Sequence, residues 1–167
     1  IKWDAQMDSR WDISEEAAQG RLDDFVMAEL EGYREGRNFP DKANVSRLSP
    51  YLHFGQISPN TAWHRAADAA AIINNEDSLD TFLSELGWRE FSYYLLYHFP
   101  QLPTKNLQAR FDVFPWASNT EQDLKAWQQG KTGYPLVDAG MRELYSTGYM
   151  HNRCLLYTSD AADDMQC

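Results

Sequence analysis

The sequence has very little cysteine: Cys154 and Cys167 are the two, and both fall in the last fourteen of 167 residues. They form no CxxC pair and no disulfide framework, which excludes a small secreted scaffold and reads as cytoplasmic. Long hydrophobic runs are also lacking. None approaches the roughly 18 residues of a membrane span, so no membrane partner is expected. The opening Ile1-Lys2-Trp3-Asp4 is neither a signal nor a transit peptide, and its lack of Met suggests that the true N-terminus is missing. The histidines at 53, 64, 98 and 151 have no metal-ligand spacing, and no Cys lies near the first three, so no metal is expected. There is no GxSxG. Gly130-Lys131-Thr132 ends like a phosphate-binding P-loop, but Lys125 stands where its first glycine belongs and no buried strand precedes it. Hydrolase and metalloenzyme readings drop out on these grounds. Period-two alternation is missing too, so no strand is expected.

What is present is apolar, aromatic and acidic. Hydrophobic residues make up 43% of the chain, enough for a core of ordinary size, and the 14% aromatic content suggests a core or pocket built from flat rings. The net charge of −10 looks hostile to nucleic acid, but it is unevenly spread. Residues 1–31 hold nine acids and three bases, and 154–167 hold three acids and no base. The middle, 32–153, is nearly neutral, with thirteen acids and twelve bases, so a local phosphate-binding face remains open there.

The apolar spacing predicts an all-α fold. Leu22, Phe25, Val26, Leu30 and Tyr33 form one stripe of a helix from Ser14 to about Glu35, closed by Gly36 and Pro40. Residues 36–57 lack helical period and predict an ordered loop with a short helical turn. Ser58-Pro59 starts a helix running to about Ile73, with Ser as N-cap and Pro in the first turn. The longest helix is predicted over 78–99, with Leu79, Phe82, Leu83, Leu86, Phe91 and Leu95 as its apolar side. An irregular connection follows over 100–119. A short helix spans Glu121 to Gln129, and another opens at Pro135, with Val137, Met141 and Leu144 inward and Gly148 as its stop.

Three stretches could carry chemistry. Val45-Ser46-Arg47-Leu48-Ser49-Pro50 is a loop with two hydroxyls and an arginine, a set that can wrap a phosphate and that is also ordinary turn chemistry. Glu85, Trp88, Arg89 and Ser92 share one face of the long helix at i, i+3, i+4 and i+7. A solvated face with a Glu–Arg pair would account for three of them, but poorly for a tryptophan. Gly148-Tyr149-Met150-His151-Asn152-Arg153 gathers an aromatic, an amide and a base just past a helix stop.

Together these stretches resemble the helical FAD-binding domain of the DNA photolyase/cryptochrome family. The matching text is Ser46-Arg47-Leu48-Ser49-Pro50-Tyr51-Leu52, Glu85-Leu86-Gly87-Trp88-Arg89-Glu90-Phe91, Trp127 through Pro135, Val137-Asp138-Ala139-Gly140-Met141-Arg142 and Met150-His151-Asn152-Arg153. The resemblance covers about residues 15–153. It makes 1–153 the N-terminal portion of that domain and the chain a fragment, without the antenna-bearing α/β domain or the later flavin-binding helices.

The resemblance implies FAD as cofactor, held by Tyr33, the loop Val45, Ser46, Arg47, Leu48 and Ser49, Phe82, Arg89 and Tyr149. Val45 stands where many members have Thr, and Phe82 and Tyr149 where many have Trp. It implies Glu85, Trp88 and Asn152 around a flipped pyrimidine dimer, with Ser92 on the same face. Arg37 and Arg153 would meet the DNA backbone, and Trp116 would end the electron-transfer chain. A flipped base can stack on Trp88 and hydrogen-bond to Glu85 and Asn152, while the cofactor does the hard chemistry. The implied activity is light-driven splitting of cyclobutane pyrimidine dimers in DNA by electron transfer from photoexcited reduced FAD, in a protein monomeric at full length, with a second antenna chromophore on a domain outside this chain. The alternative is a cryptochrome, a blue-light signalling flavoprotein without repair. Asn152 beside retained Glu85 and Trp88 favours repair. Without the later helices, the fragment is expected to hold FAD poorly and to be inactive.

The last fourteen residues break the pattern. Tyr157 through Asp164 have no apolar face and look like translated sequencing-adaptor read-through, so 154–167 are expected to be non-native and to pack poorly.

Overall fold

The computed structural model describes residues 5–115, 117, 118 and 120–159. Among the described residues the regular structure is entirely helical, as the apolar spacing predicts. The helices in order are α1 (Ala5–Asp8), α2 (Glu15–Asp24), α3 (Tyr33–Gly36), α4 (Ser49–Phe54), α5 (Pro59–Ile73), α6 (Glu76–His98), α7 (Glu121–Gln128), α8 (Pro135–Thr147) and α9 (Asn152–Ser159). The chain divides into two compact units, one of residues 15–37 and 43–117, the other from 1–14, 38–42 and 118–167.

The larger unit is built on α6, the longest helix at 23 residues. It begins two residues before the expected Ser78, because Asn75 serves as N-cap and its side-chain oxygen accepts the Ser78 N–H at 3.1 Å. Ser78 is buried, and its hydroxyl donates to the Glu31 carbonyl at 3.2 Å, fixing where the helix starts. Along α5, Ala62, Ala66 and Ala70 repeat every four residues and are all buried, so its backbone lies close to its neighbours, α6 among them. Ser58 caps α5, accepting the Thr61 N–H at 3.0 Å. The core closes with an aromatic cluster: Phe25 lies 4.8 Å from Phe82 and 5.4 Å from Tyr33 between ring centroids, and Tyr33 meets Phe82 edge-on at 5.7 Å.

Two expectations are corrected here. The stripe from Leu22 to Tyr33 is buried at every position, but it is not one α-helix. After α2 the chain makes a π-turn over Phe25–Glu29 and a 3-10 turn over Leu30–Gly32 before α3. The break leaves the apolar residues facing the core while turning Glu29 toward partners outside the helix. On α6, Phe91 is exposed rather than inward. Five residues past Leu86 is about 140° around a 3.6-residue helix, so Phe91 faces away from the Phe82–Leu86 side.

In the smaller unit α8 packs against α1, α7 and α9. Met141 is buried and Val137 and Leu144 are half-buried, as their spacing predicts. Gly148 ends α8 at φ 72°, a left-handed conformation that favours glycine. The Trp11 indole N–H donates to the Thr147 carbonyl at 2.6 Å. The expectation of a poorly packed segment from 154 onward is corrected at its first residue. Helix α9 runs from Asn152 through Ser159, and Cys154 is buried with its Cβ 2.8 Å from where a Cβ on Gly140 would sit. Gly140 is what lets α9 approach. Leu155 is half-exposed, and residues 160–167 lie outside the described residues.

Candidate functional site

The larger unit holds a concavity of about 470 Å³ between α4 and α6. Its chemistry is divided. Ser46, Ser49, Glu85, Arg89 and Ser92 supply hydroxyls, a carboxylate and a guanidinium, while Tyr33, Leu52, Phe82, Leu86 and Tyr93 supply rings and aliphatic wall. Position along α6 explains the division: Phe82, Glu85, Leu86, Arg89, Ser92, Tyr93 and Leu96 recur at three and four residues and line it together.

Arg89 is held from three directions. It donates to the Leu52 carbonyl at 3.1 Å, pairs with the Glu90 carboxylate at 2.8 Å, and lies 4.7 Å over the Tyr93 ring. Glu85 is paired with Arg37 at 2.6 Å, and the Arg37 guanidinium sits 5.4 Å over the Tyr33 ring. The pair is partly screened, with side-chain exposures of 19% for Arg37 and 38% for Glu85, which leaves the carboxylate reachable.

The structure therefore brings Tyr33, Ser46, Ser49, Phe82, Glu85, Arg89 and Ser92 to one cavity, with Arg37 bound to one of its walls. Other expected residues are placed differently. Leu48 is core, 1% exposed, and Val45, three residues earlier, is half-buried. Arg47 is exposed at φ 51°, a left-handed conformation costly for a residue with a side chain, and does not line the cavity. Trp88 is 62% exposed and touches Phe91 edge-on at 5.7 Å; it also does not line the cavity. Trp88 stands one residue before Arg89, about 100° around the helix from the middle of the lining face, enough to move a ring off the cavity wall. Tyr149, Asn152 and Arg153 belong to the smaller unit. There Tyr149 is half-buried, Asn152 is exposed at the first turn of α9, and Arg153 donates through Nε to Asn38 Oδ1 at 3.2 Å. Trp116 lies outside the described residues.

Sequence reasoning missed several contributors. Tyr93 could have been found, since it stands four residues after Arg89 on the same face. Leu52 stood in the matching text without a role of its own, and His53 and Leu96 gave no signal. Also missed was the support beneath the loop 45–49, where Arg21 Nε donates to the Ser46 carbonyl at 2.9 Å and Asn44 Nδ2 to the Glu29 carbonyl at 3.0 Å.

A cavity with hydroxyls and a guanidinium at one side and flat rings at the other suits an amphipathic ligand that joins a phosphate to a planar ring system. FAD has that constitution. A family model described as the FAD binding domain of DNA photolyase matches residues 82–159. The deoxyribodipyrimidine photo-lyase of Agrobacterium fabrum is 46% identical over 151 residues, covering 90% of this chain and 31% of that protein. Cryptochrome-2 of Arabidopsis thaliana is 39% identical over 158 residues, covering 91% of this chain and 26% of that protein. Among solved structures, a bacterial class III photolyase from Agrobacterium tumefaciens superposes with a TM-score of 0.87 at 44% identity, over 93% of this chain and 32% of that one. The chain belongs to the DNA photolyase/cryptochrome family. It spans about a third of the length of the photo-lyases it matches, 31% and 34% in two of them.

Proposed function

We propose that this chain is part of a flavoprotein that repairs DNA in light, a deoxyribodipyrimidine photolyase acting on cyclobutane pyrimidine dimers. The observation that carries the reading is the convergence of Ser46, Ser49 and Arg89 with Tyr33, Phe82 and Glu85 on one cavity. Ser46, Ser49 and Arg89 would hold the diphosphate of FAD by charge-assisted hydrogen bonds, and Tyr33 and Phe82 would supply flat contacts. When bound, the flavin supplies the light-driven one-electron reducing power that opens the cyclobutane ring.

The chain's own residues do the rest. Glu85 accepts a hydrogen bond from a ring N–H of the extruded base, and Arg37 sets the direction of that carboxylate. Trp88, standing clear of the cavity with most of its indole exposed, offers a stacking face to a base leaving the duplex. Asn152 would bond a base edge and Arg153 a phosphate, a sequence-independent contribution that weakens with salt. In the same proposal Tyr149 meets the cofactor and Trp116 conducts electrons. The full-length protein is a cytoplasmic monomer, its second antenna chromophore lies on another domain, and residues 160–167, past the end of the family match, are not native sequence.

A second reading, blue-light signalling without repair, is favoured by the 39% identity to Cryptochrome-2. Asn152 together with Glu85 and Trp88 supports repair instead. The deciding experiment gives the full-length gene product DNA containing thymine dimers, in light and in dark. Light-dependent loss of dimers is expected. A flavin-loaded protein that leaves the dimers intact would decide for the signalling reading.

A further inference from the structure

The break between α2 and α3 sits directly behind the loop 45–49. In a continuous α-helix the Tyr33 N–H would bond the Glu29 carbonyl. Here the Leu30 N–H goes to Phe25, five residues back, and the Tyr33 N–H goes to Leu30, three back. That switch turns the Glu29 carbonyl to a partner outside the helix, and Asn44 takes it at 3.0 Å. Asn44 can lie there because Gly32 and Gly36, four residues apart on one helical side, present no Cβ. A Cβ on Gly32 would stand 2.8 Å from Asn44 Nδ2, and one on Gly36 would overlap three atoms of the same side chain.

The Glu29 side chain works on the other flank. Its carboxylate pairs with Arg21, whose Nε donates to the Ser46 carbonyl at 2.9 Å. Both side chains are mostly covered, at 23% and 18% exposure. Burial pushes the Glu29 carboxyl above its ordinary value, while the Arg21 charge pulls it back. One residue of the π-turn thus grips the loop twice, through its carbonyl at Asn44 and through Arg21 at Ser46. Between those two points and Ser49 the chain makes its left-handed turn at Arg47, the strained residue of the loop.

We propose that Arg21, Glu29 and Asn44 are positioning residues for the diphosphate-binding loop, and that the π-turn is part of the cofactor site rather than an irregularity of the helix. The inference rests on the flavin reading above. The clamp offsets the strain at Arg47 and fixes the direction of the Ser46 and Ser49 hydroxyls before the ligand arrives, so that binding does not have to order the loop.

The test uses the full-length protein, freed of flavin and titrated with FAD and with riboflavin, which lacks the phosphates. For Arg21→Gln and Asn44→Ala, FAD affinity should fall about tenfold, the scale of one charge-assisted hydrogen bond, with riboflavin affinity unchanged. Arg21→Lys should recover part of the loss. Thermal midpoints of the flavin-free proteins separate positioning from general damage. Equal loss for FAD and riboflavin, or a lowered midpoint with FAD affinity intact, would overturn the clamp. If the wild-type protein itself shows no preference for FAD over riboflavin, the flavin reading fails instead, and the two failures are distinct.

Discussion

At the scale of single residues, one heavily bonded side chain had no expected role. Asp138, buried in the first turn of α8, accepts from the Thr132 N–H and the Thr132 hydroxyl, each at 2.7 Å, and from the Gly133 N–H at 3.0 Å. Those bonds, led by the Thr132 hydroxyl, hold its carboxyl below the ordinary value of 3.8. A carboxylate whose folded value is depressed contributes stability above its unfolded value and loses it as pH falls through the folded one. Asp138→Asn should therefore be less stable than the parent at neutral pH, and the gap should close as pH is lowered past 3.8; melting curves across that range check it. The motif holding Asp138 was legible as part of the family text, but its role as the knot of the loop 130–134 was not. Spacing can say that Thr132 and Asp138 are near; it cannot say which way a carboxylate turns. The same limit separates Glu85 and Arg89, whose helical spacing placed them together, from Trp88, which the same spacing grouped with them and the structure places off the cavity wall.

At the scale of elements, starts and stops were the most legible features, because they depend on local chemistry. Ser58-Pro59, Gly148 and the proline at 135 mark boundaries where the helices begin or end. Replacing Ser58 with Ala removes the acceptor for the Thr61 N–H and should destabilise the protein by about 1 kcal/mol, read as a shift in the urea midpoint at unchanged slope. The π-turn was not legible. Its freed carbonyl is taken by a loop residue, Asn44, fifteen positions downstream, and the apolar stripe reads the same whether the helix is continuous or broken there. The Asn75 cap shifted α6 for a similar reason, as two adjacent asparagines leave the choice of cap to tertiary contacts with Glu31.

At the scale of the whole molecule, the sequence foretold an all-helical chain of the photolyase/cryptochrome family, and fold and comparisons agree. It did not foretell how much of the later half of α6 faces outward. Trp88, Phe91, Tyr93, Tyr94, Leu96, Tyr97 and Phe99 are all exposed among the described residues, around the mouth of the cavity and beyond it. Such an apolar face is far richer than the scattered exposed side chains of an ordinary monomer. Residues 1–167 expressed alone are therefore expected to self-associate and to brighten a hydrophobic dye, with FAD bound weakly at most. A monodisperse, dye-silent protein forming a stable 1:1 flavin complex would contradict this.

The seat of Asn44 carries a consequence for inheritance. Every single-nucleotide change that replaces a glycine codon by another amino acid adds at least a Cβ, so no one-step coding change at Gly36 avoids the Asn44 side chain. A lineage can vary position 36 only after position 44 has itself become glycine, since the Asn44 Cβ alone would lie 2.5 Å from the new one, and that first change releases the Glu29 carbonyl. The two sites are thus ordered in time: one route through the mutational map is open, and its reverse is closed.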